Sequence, residues 1–481
     1  MWDNPNYWIR FALVRSALGL SAGHELGILG QYRAGVCART LQRFRISEAI
    51  QIRALRGERQ QHRQEVRRLL ARTETPDDIL HWTLPHGLPP DFVYDGLLRR
   101  QRAACVDLDH PRLLDDVAEA LGCLTDAERL LDAYPCDLLL LSHVIGFQHA
   151  ALAWLAIERH VPTLLLFGNY GVLRCVKLHQ PNDLYDWTDR PGSADIAALS
   201  PGQAELFARA GRAYLEKRRA GQTNDLGAQL AFQRPTTSID RATLVQQFHW
   251  DPRVPIIGIY ASTWFDYPHA SGMRHFRDFL DWLHANIRVV SQLPHVNWLF
   301  KAHPCDEYYG GVTLRDLMPS VPQRHVQLAP AQWSGAALLE SLDGMVTYGG
   351  TVGVEGAACG KPVLLADRGW YHDVGFAKWT KSREEYLQTL ATPWWTSLDL
   401  VKTTRLAQIF AGWYFCRPAW QGGFVLGDDS VQDPLYEDVP RLFAENQDAI
   451  AREVETIRQW FGSESRRYHT DKMRHAELLV C

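Results

Sequence analysis

Short apolar runs of strand length alternate along much of the chain with longer segments whose apolar residues recur at helical spacing. In the first half, Asp137–Ser142 (DLLLLS) and Val161–Phe167 (VPTLLLF) are strand-length runs, and Gln148–Arg159 between them is helical. Strand, helix and strand joined by short loops predict a parallel crossover. We therefore expect a Rossmann-like unit in this half.

The second half repeats this order. The predicted strands are Ile256–Tyr260, Trp298–Lys301, Val326–Leu328, Gly344–Val346 and Val363–Ala366, and the predicted helices are Phe276–Ile287 and Ser334–Leu342. Residues 1–75, 201–221 and 438–461 have helical patterns, while 222–238 is polar. We place a domain boundary near residue 240. This predicts an N-terminal Rossmann-like domain over 1–240 with a helical start, a second Rossmann-like domain over 241–435, and a final helix in 436–481 that returns to the first domain.

Composition and charge narrow the function classes. At 481 residues the chain is too long for one ordinary core. A net charge of −4 argues against a dedicated nucleic-acid binder. The nine cysteines are scattered without a CxxC pair, which favours a reducing compartment, and we expect a cytoplasmic protein. No apolar stretch reaches the length of a membrane span.

A basic run over Arg53–Arg72 has two interpretations. It is a solvated helix face, or it is a patch that contacts anionic lipid head groups at the inner membrane or an assembly partner.

Polar clusters follow two predicted strands of the second half. Lys301, His303 and Pro304 end one strand, where a lysine and a histidine can donate to phosphate oxygens. Thr347, Tyr348, Gly349, Gly350 and Thr351 end another and precede a small-residue helix, whose free N–H groups suit an anion. Glu355 in that helix has two interpretations. Its negative charge is favourable near the positive N-terminal end of the helix, or its carboxylate holds ribose hydroxyls.

The segment after the strand Ile256–Tyr260 is a candidate catalytic loop. It carries Trp264, Asp266 and His269 before a helix. Asp266 is a candidate nucleophile or general base, and the alternative is an Asx-turn or cap aspartate.

Further candidates lie at strand ends and would line a sugar or acceptor cleft. They are Ser142, His143, Tyr170, Arg174, Tyr371 and also Trp264 of the candidate catalytic loop. A structural role is the alternative for each. We find no ligand pattern for a metal and expect none as a cofactor.

These motifs carry a resemblance to a known family. Residues 255–380 resemble bacterial GT-B glycosyltransferases of capsule and lipopolysaccharide O-antigen synthesis, and are most similar to the retaining β-Kdo transferases, which use CMP-Kdo. His303-Pro304 matches the family's HP motif. Thr347–Thr351 with Glu355 matches its Ser/Thr-rich motif, with Tyr-Gly-Gly where Ser/Thr is usual.

The resemblance implies two Rossmann-like domains facing across a cleft, with a CMP-activated sugar on the second domain. It implies an aspartate nucleophile, here Asp266, and an acceptor that is a lipid-linked or oligosaccharide precursor of a cell-envelope polysaccharide. Two alternatives stay open: another donor (CDP-glycerol, a UDP-sugar or CMP-sialate), or a non-catalytic scaffold of a polysaccharide assembly complex.

Overall fold

A computed structural model describes most of the chain. The described residues are 5–20, 26–29, 48–51, 59–167, 172–222, 226–232, 239–318, 323–424, 441–468 and 479–480.

The described chain contains helices and strands, which alternate most regularly between residues 256 and 365. Helices include α1 (Pro5–Leu18), α2 (Arg59–Leu70), α3 (Pro76–Ile79), α4 (Pro90–Gln101), α5 (Leu113–Ala133), α6 (Phe147–Glu158), α7 (Ser193–Ala197), α8 (Pro201–Arg219), α9 (Leu226–Phe232), α10 (Arg241–Phe248), α11 (Phe279–Val290), α12 (Asp306–Tyr309), α13 (Leu314–Leu317), α14 (Gly335–Ser341), α15 (Val352–Ala358), α16 (Arg383–Leu390), α17 (Leu400–Phe415) and α18 (Gln447–Phe461). The strands are β1 (Leu26–Leu29), β2 (Glu48–Gln51), β3 (Leu139–Leu141), β4 (Thr163–Leu165), β5 (Val176–Leu178), β6 (Ile256–Tyr260), β7 (Asn297–Lys301), β8 (Val326–Leu328), β9 (Gly344–Thr347), β10 (Val363–Leu365), β11 (Arg417–Pro418) and β12 (Leu479–Val480).

The chain forms two compact units, and the predicted α/β class is confirmed. Unit 1 comprises 1–100, 106–189 and 417–478, and unit 2 comprises 101–105, 190–416 and 479–481. The division at residues 189 and 190 lies well before the boundary that we predicted near 240.

The boundary differs because α8 packs on α17 within unit 2. A Cβ on Gly211 would lie 2.0 Å from the Gln408 carbonyl oxygen, and a Cβ on Gly412 would lie 2.0 Å from that of Phe207. Only glycine permits this approach of two helix backbones. The rings of Phe207 and Trp413 stack beside it, with centroids 5.0 Å apart.

Unit 1 contains the predicted crossover. β3 and β4 pair in parallel with α6 between them in the chain, and β5 then pairs antiparallel to β4. We did not predict β5. Lys177 in this strand donates to the carbonyl oxygens of Trp460 and Ser463 at the end of α18. A lysine at a helix C-terminus is favourable, and it fixes α18 in this unit.

Unit 2 is built on a five-stranded parallel sheet in the order β10-β9-β6-β7-β8. Taking these strands as first to fifth along the chain, the order is fifth, fourth, first, second, third, which is the strand order of a Rossmann half-sheet. The direction of the sequence order reverses between β6 and β9. Because all five strands are parallel, their carboxyl ends lie on one edge, which we call the carboxyl edge.

The basic run is only partly described. Arg59 and Arg63 of α2 pair with Glu119 and Asp115 of α5, so these two charges are used within unit 1. Residues 53–58 lie outside the described part. Among the helices that the structure describes, none combines the length and apolarity that a membrane crossing requires.

Candidate functional site

The carboxyl edge of unit 2 gathers the predicted motifs of the second half. Tyr260 at the end of β6 is in register with Lys301 of β7 and with Thr347 of β9. The loops that follow these three strands therefore start side by side. They start at the point where the strand order reverses, which is where open α/β sheets bind ligands.

His303 is oriented by two neighbours. The backbone N–H of Cys305 donates to His303 Nδ1 at 3.2 Å, and the buried Thr263 Oγ1 lies 3.1 Å from the same nitrogen. An N–H can only donate, so Nδ1 is an acceptor, and the neutral ring carries its proton on Nε2. The ring of His303 is half-buried, and its N–H donor is on Nε2. Pro304 follows it, also half-buried.

Lys301 has a different role from the one that we predicted. Its ammonium group donates to the carbonyl oxygens of Pro330, Ala331 and Trp333, at 3.2, 3.3 and 3.4 Å. These three contacts equal the donors of an ammonium group. Burial lowers the pKa of Lys301 to about 8. Lys301 therefore holds the loop after β8 and leaves no donor for a phosphate.

The loop after β9, residues 348–351, is held from both sides. Gly350 N–H donates to Thr347 Oγ1 at 3.3 Å. The carbonyl oxygen of Gly349 accepts from Trp370 Nε1, and that of Gly350 from the Tyr371 hydroxyl, both at 2.7 Å. Within the described part of the chain, the N–H groups of Thr351 and Val352 have no hydrogen-bond acceptor. Two adjacent amide donors thus remain at the carboxyl edge.

Tyr371 does not line a cleft, contrary to our prediction. It is fully buried, and its ring stacks on Phe376 with centroids 5.1 Å apart. Burial, and secondly the negative charge of Glu355, raise the pKa of Tyr371 above its usual value, so the hydroxyl stays a donor to Gly350.

Tyr348 is likewise a core residue and not a ligand contact. Its hydroxyl donates to Asp367, and its ring meets those of Phe276, Phe279 and Trp282 edge to face. Burial, and secondly the Asp367 charge, raise the pKa of Tyr348 well above its usual value. Tyr348 thus serves the packing of unit 2.

Glu355 is buried against Arg218 of α8, 2.6 Å from Oε1 to Nε. Both side chains are about 6% exposed. This pair joins α15 to α8, so the structure gives Glu355 a partner that the sequence pattern did not reveal. A role in holding ribose stays a prediction.

The loop after β6 carries the predicted catalytic residues in different environments. Asp266 is exposed, next to Tyr267 in the left-handed region at φ 51°. His269 is 6% exposed, and its carbonyl oxygen accepts from Gly272 N–H and Arg274 Nη1. Trp264 is 1% exposed, so it belongs to the core and lines no cleft. Of the three, Asp266 is the exposed residue.

Asp367, which we did not predict as important, ties this loop to its neighbours. It is fully buried at the end of β10, and its Oδ2 accepts from the N–H groups of Arg274 and His275, both at 2.6 Å. The same atom accepts from Tyr348. A carboxylate directly after a strand end was the only trace of this role in the sequence.

The candidates of unit 1 divide into buried and undescribed residues. We predicted that Arg174 would line a cleft, but it is fully buried in an ion pair with Asp189. Ser142 is also buried. Burial lowers the pKa of His143 to about 4, and its ring lies 5.8 Å from that of His149. Tyr170 lies outside the described residues.

A second concave site in unit 2 lies away from the carboxyl edge. A cavity of about 380 Å³ lies at the opposite edge of the sheet, where Pro255, Asp343 and Pro362 precede β6, β9 and β10. Its three cations are engaged: Arg241 donates to Asp343, Arg253 to Asp251, and Lys361 to the carbonyl oxygens of Glu340 and Leu342. The part of the chain that the structure describes holds no cluster of three metal-ligating side chains.

Comparison with known proteins gives matches of structure alone. No protein-family model matches the chain, and no curated protein matches it in sequence. Similar solved structures include KpsC of Thermosulfurimonas dismutans as a β-Kdo 2,4 transferase (15% identity, TM-score 0.39, 63% of this chain and 86% of that one). KpsC of the same organism as a β-Kdo 2,7 transferase has 14% identity and a TM-score of 0.32, and the match covers 60% of this chain and 79% of that one. A putative UDP-N-acetylglucosamine 2-epimerase of Listeria monocytogenes has 12% identity and a TM-score of 0.26, and the match covers 96% of this chain and 95% of that one.

At these identities and TM-scores the matches carry no functional argument, so function is argued from the residues of this chain.

Proposed function

We propose that the chain is a glycosyltransferase whose nucleotide-activated donor binds at the carboxyl edge of unit 2. The observation that carries this proposal is the strand order. It brings the oriented ring of His303, the two open amides of the β9 loop and the exposed Asp266 to the loops around one switch point. The HP motif and the Thr-containing loop favour CMP-Kdo, or a related CMP-ulosonic acid, as the donor.

The donor groups match a phosphate. His303 Nε2–H and the N–H groups of Thr351 and Val352 are donors to phosphate oxygens. They offset the charge that grows on the phosphate as CMP leaves. α15 has only seven residues, so its dipole adds little. Lys301 contributes through the position of the loop after β8 and not through a phosphate contact.

Asp266 is the proposed nucleophile. Its carboxylate attacks the anomeric carbon, the bond from that carbon to the phosphate oxygen breaks, and CMP departs with the electron pair. An acceptor hydroxyl then attacks the same carbon, loses its proton to a base, and releases Asp266. Two displacements give net retention, as for retaining glycosidases. The acceptor would be a lipid-linked or oligosaccharide precursor of a surface polysaccharide.

Donor turnover without acceptor tests this function. Purified protein is incubated with CMP-Kdo, and in parallel with CMP-sialate, CDP-glycerol and UDP-sugars, and nucleotide release is followed by chromatography. We expect CMP release from CMP-Kdo above the buffer rate, and a decrease of about 1,000-fold in Asp266→Asn.

The control Asp251→Asn changes an exposed aspartate on the other side of β6 and should keep the wild-type rate. Release from another donor alone would replace CMP-Kdo by that donor. No release from any donor would favour the scaffold alternative. An unchanged rate in Asp266→Asn would contradict the nucleophile.

A further inference from the structure

The segment Asp367–Tyr371, which begins two residues after the end of β10, contacts the loops that follow β6 and β9, the two strands at the switch point. Asp367 accepts from Arg274 and His275 of the β6 loop. Trp370 and Tyr371 donate to the two glycine carbonyls of the β9 loop. We call this segment the β10 clamp. It is buried at Asp367 and Tyr371, so its main contacts are with protein and not with a ligand.

Tyr371 is one of two donors that orient one peptide plane. Its hydroxyl donates to the Gly350 carbonyl oxygen at 2.7 Å, and the Gly353 N–H donates to the same oxygen at 3.0 Å. In a planar trans peptide, this carbonyl and the N–H of the next residue, Thr351, point in opposite directions. Since the carbonyl points toward Tyr371 in the interior, the Thr351 N–H points away from it. Tyr371 thereby aims a donor that has no acceptor among the described residues.

The clamp packs closely against the segments that it contacts. A Cβ on Gly353 of α15 would lie 2.0 Å from the Tyr371 hydroxyl oxygen. A Cβ on Gly349 of the β9 loop would lie 3.0 Å from the Cα of Gly369, which is in the clamp. Larger residues at either glycine would therefore displace the clamp.

We propose that Tyr371 is a positioning residue for nucleotide binding, which fixes the Gly350–Thr351 peptide so that the Thr351 amide meets a phosphate of the nucleotide. This inference rests on the proposed function. It assigns Tyr371 no contact with the nucleotide. Binding of the base and of the ribose should therefore not depend on Tyr371.

The variant Tyr371→Phe tests the assignment by removing one hydroxyl. The matched control is Tyr386→Phe, because Tyr386 is also fully buried. Its hydroxyl donates to Asn286 Oδ1 and accepts from Trp282 Nε1, and both partners belong to α11. Calorimetric titrations with CMP and with cytidine, which lacks the phosphate, are run on both variants and on wild type, with thermal unfolding in parallel.

We expect Tyr371→Phe to weaken CMP binding about three- to ten-fold and to leave cytidine binding unchanged. Tyr386→Phe should lower the melting temperature but keep the CMP affinity. Equal CMP affinities in Tyr371→Phe and wild type, or an equal loss for CMP and cytidine, would overturn the positioning role while the nucleotide site stands. Absence of nucleotide binding by wild type would instead overturn the proposed function, and the positioning role with it.

Discussion

Arg218 Nε lies 2.6 Å from Glu355 Oε1, and the two side chains are buried together between α8 and α15. Glu355 belongs to the helix that follows the β9 loop, so this pair connects the candidate site to a helix that precedes the sheet in the chain. A buried carboxylate needs such a partner, because desolvation of an unpaired charge is costly.

Breaking the Arg218–Glu355 pair should destabilise the protein more than removing it. We expect Arg218→Met to cost about 3–5 kcal/mol, because Glu355 then lies buried without its partner. The double variant Arg218→Met, Glu355→Gln should regain most of this loss. Urea unfolding of the two single variants and the double variant measures the coupling. Additive losses in the double variant would contradict it.

Lys301→Met should reduce stability and spare nucleotide affinity. The ammonium group holds three loop carbonyls, and methionine keeps the apolar stem but not the donors. We expect a loss of about 1–3 kcal/mol in urea unfolding and a CMP affinity within about two-fold of wild type.

Lys361→Met is the control for this change, since Lys361 also donates to backbone carbonyls but at the opposite edge of the sheet. A large loss of CMP affinity in Lys301→Met, but not in Lys361→Met, would show that Lys301 contacts the phosphate.

Gly353→Ala should displace Tyr371. The added Cβ would lie 2.0 Å from the Tyr371 hydroxyl oxygen and 3.1 Å from Thr347 Cγ2. We expect a loss of about 1–3 kcal/mol and weaker CMP binding. Gly202→Ala, where the Cβ meets nothing within 4 Å, should lose neither stability nor CMP affinity. Wild-type affinity in Gly353→Ala would show that the β9 loop does not depend on this packing.

Acidification should destabilise the fold through His143. Burial lowers its pKa from 6.5 to about 4, and burial also lowers the pKa of His149. The unfolded chain therefore binds more protons between pH 6.5 and pH 4, and stability falls as pH decreases through that window. Urea unfolding at pH 7 and pH 5 measures the change. The variant His143→Asn, His149→Asn should show a smaller loss; an identical loss would exclude these two residues as its source.

Sequence patterns located the strands and their loops well, because an apolar run followed by polar residues marks a strand end. The bounds of β6 and β8 agree with those predicted. The same patterns did not identify side-chain partners. Lys301 contacts a loop 29–32 residues away, and Arg174 pairs with Asp189. Such pairings depend on tertiary packing, which periodicity does not encode.

Long-range helix packing also set the domain boundary. The contact of α8 with α17 joins segments that lie about 200 residues apart, through Gly211 and Gly412. Each glycine lies inside a helical pattern, where it is unfavourable by itself. In this chain both glycines mark a close helix contact, but a single sequence does not show which helix is the partner.

A calorimetric titration of the wild-type protein and of His303→Ala with CMP, with UDP and ADP in parallel, tests the nucleotide site most directly. The proposed function predicts selective CMP binding by wild type, and a loss of about ten-fold or more in His303→Ala, since the ring would supply a donor to the phosphate. Selective binding of UDP, or the same CMP affinity in both proteins, would contradict a CMP site built around His303.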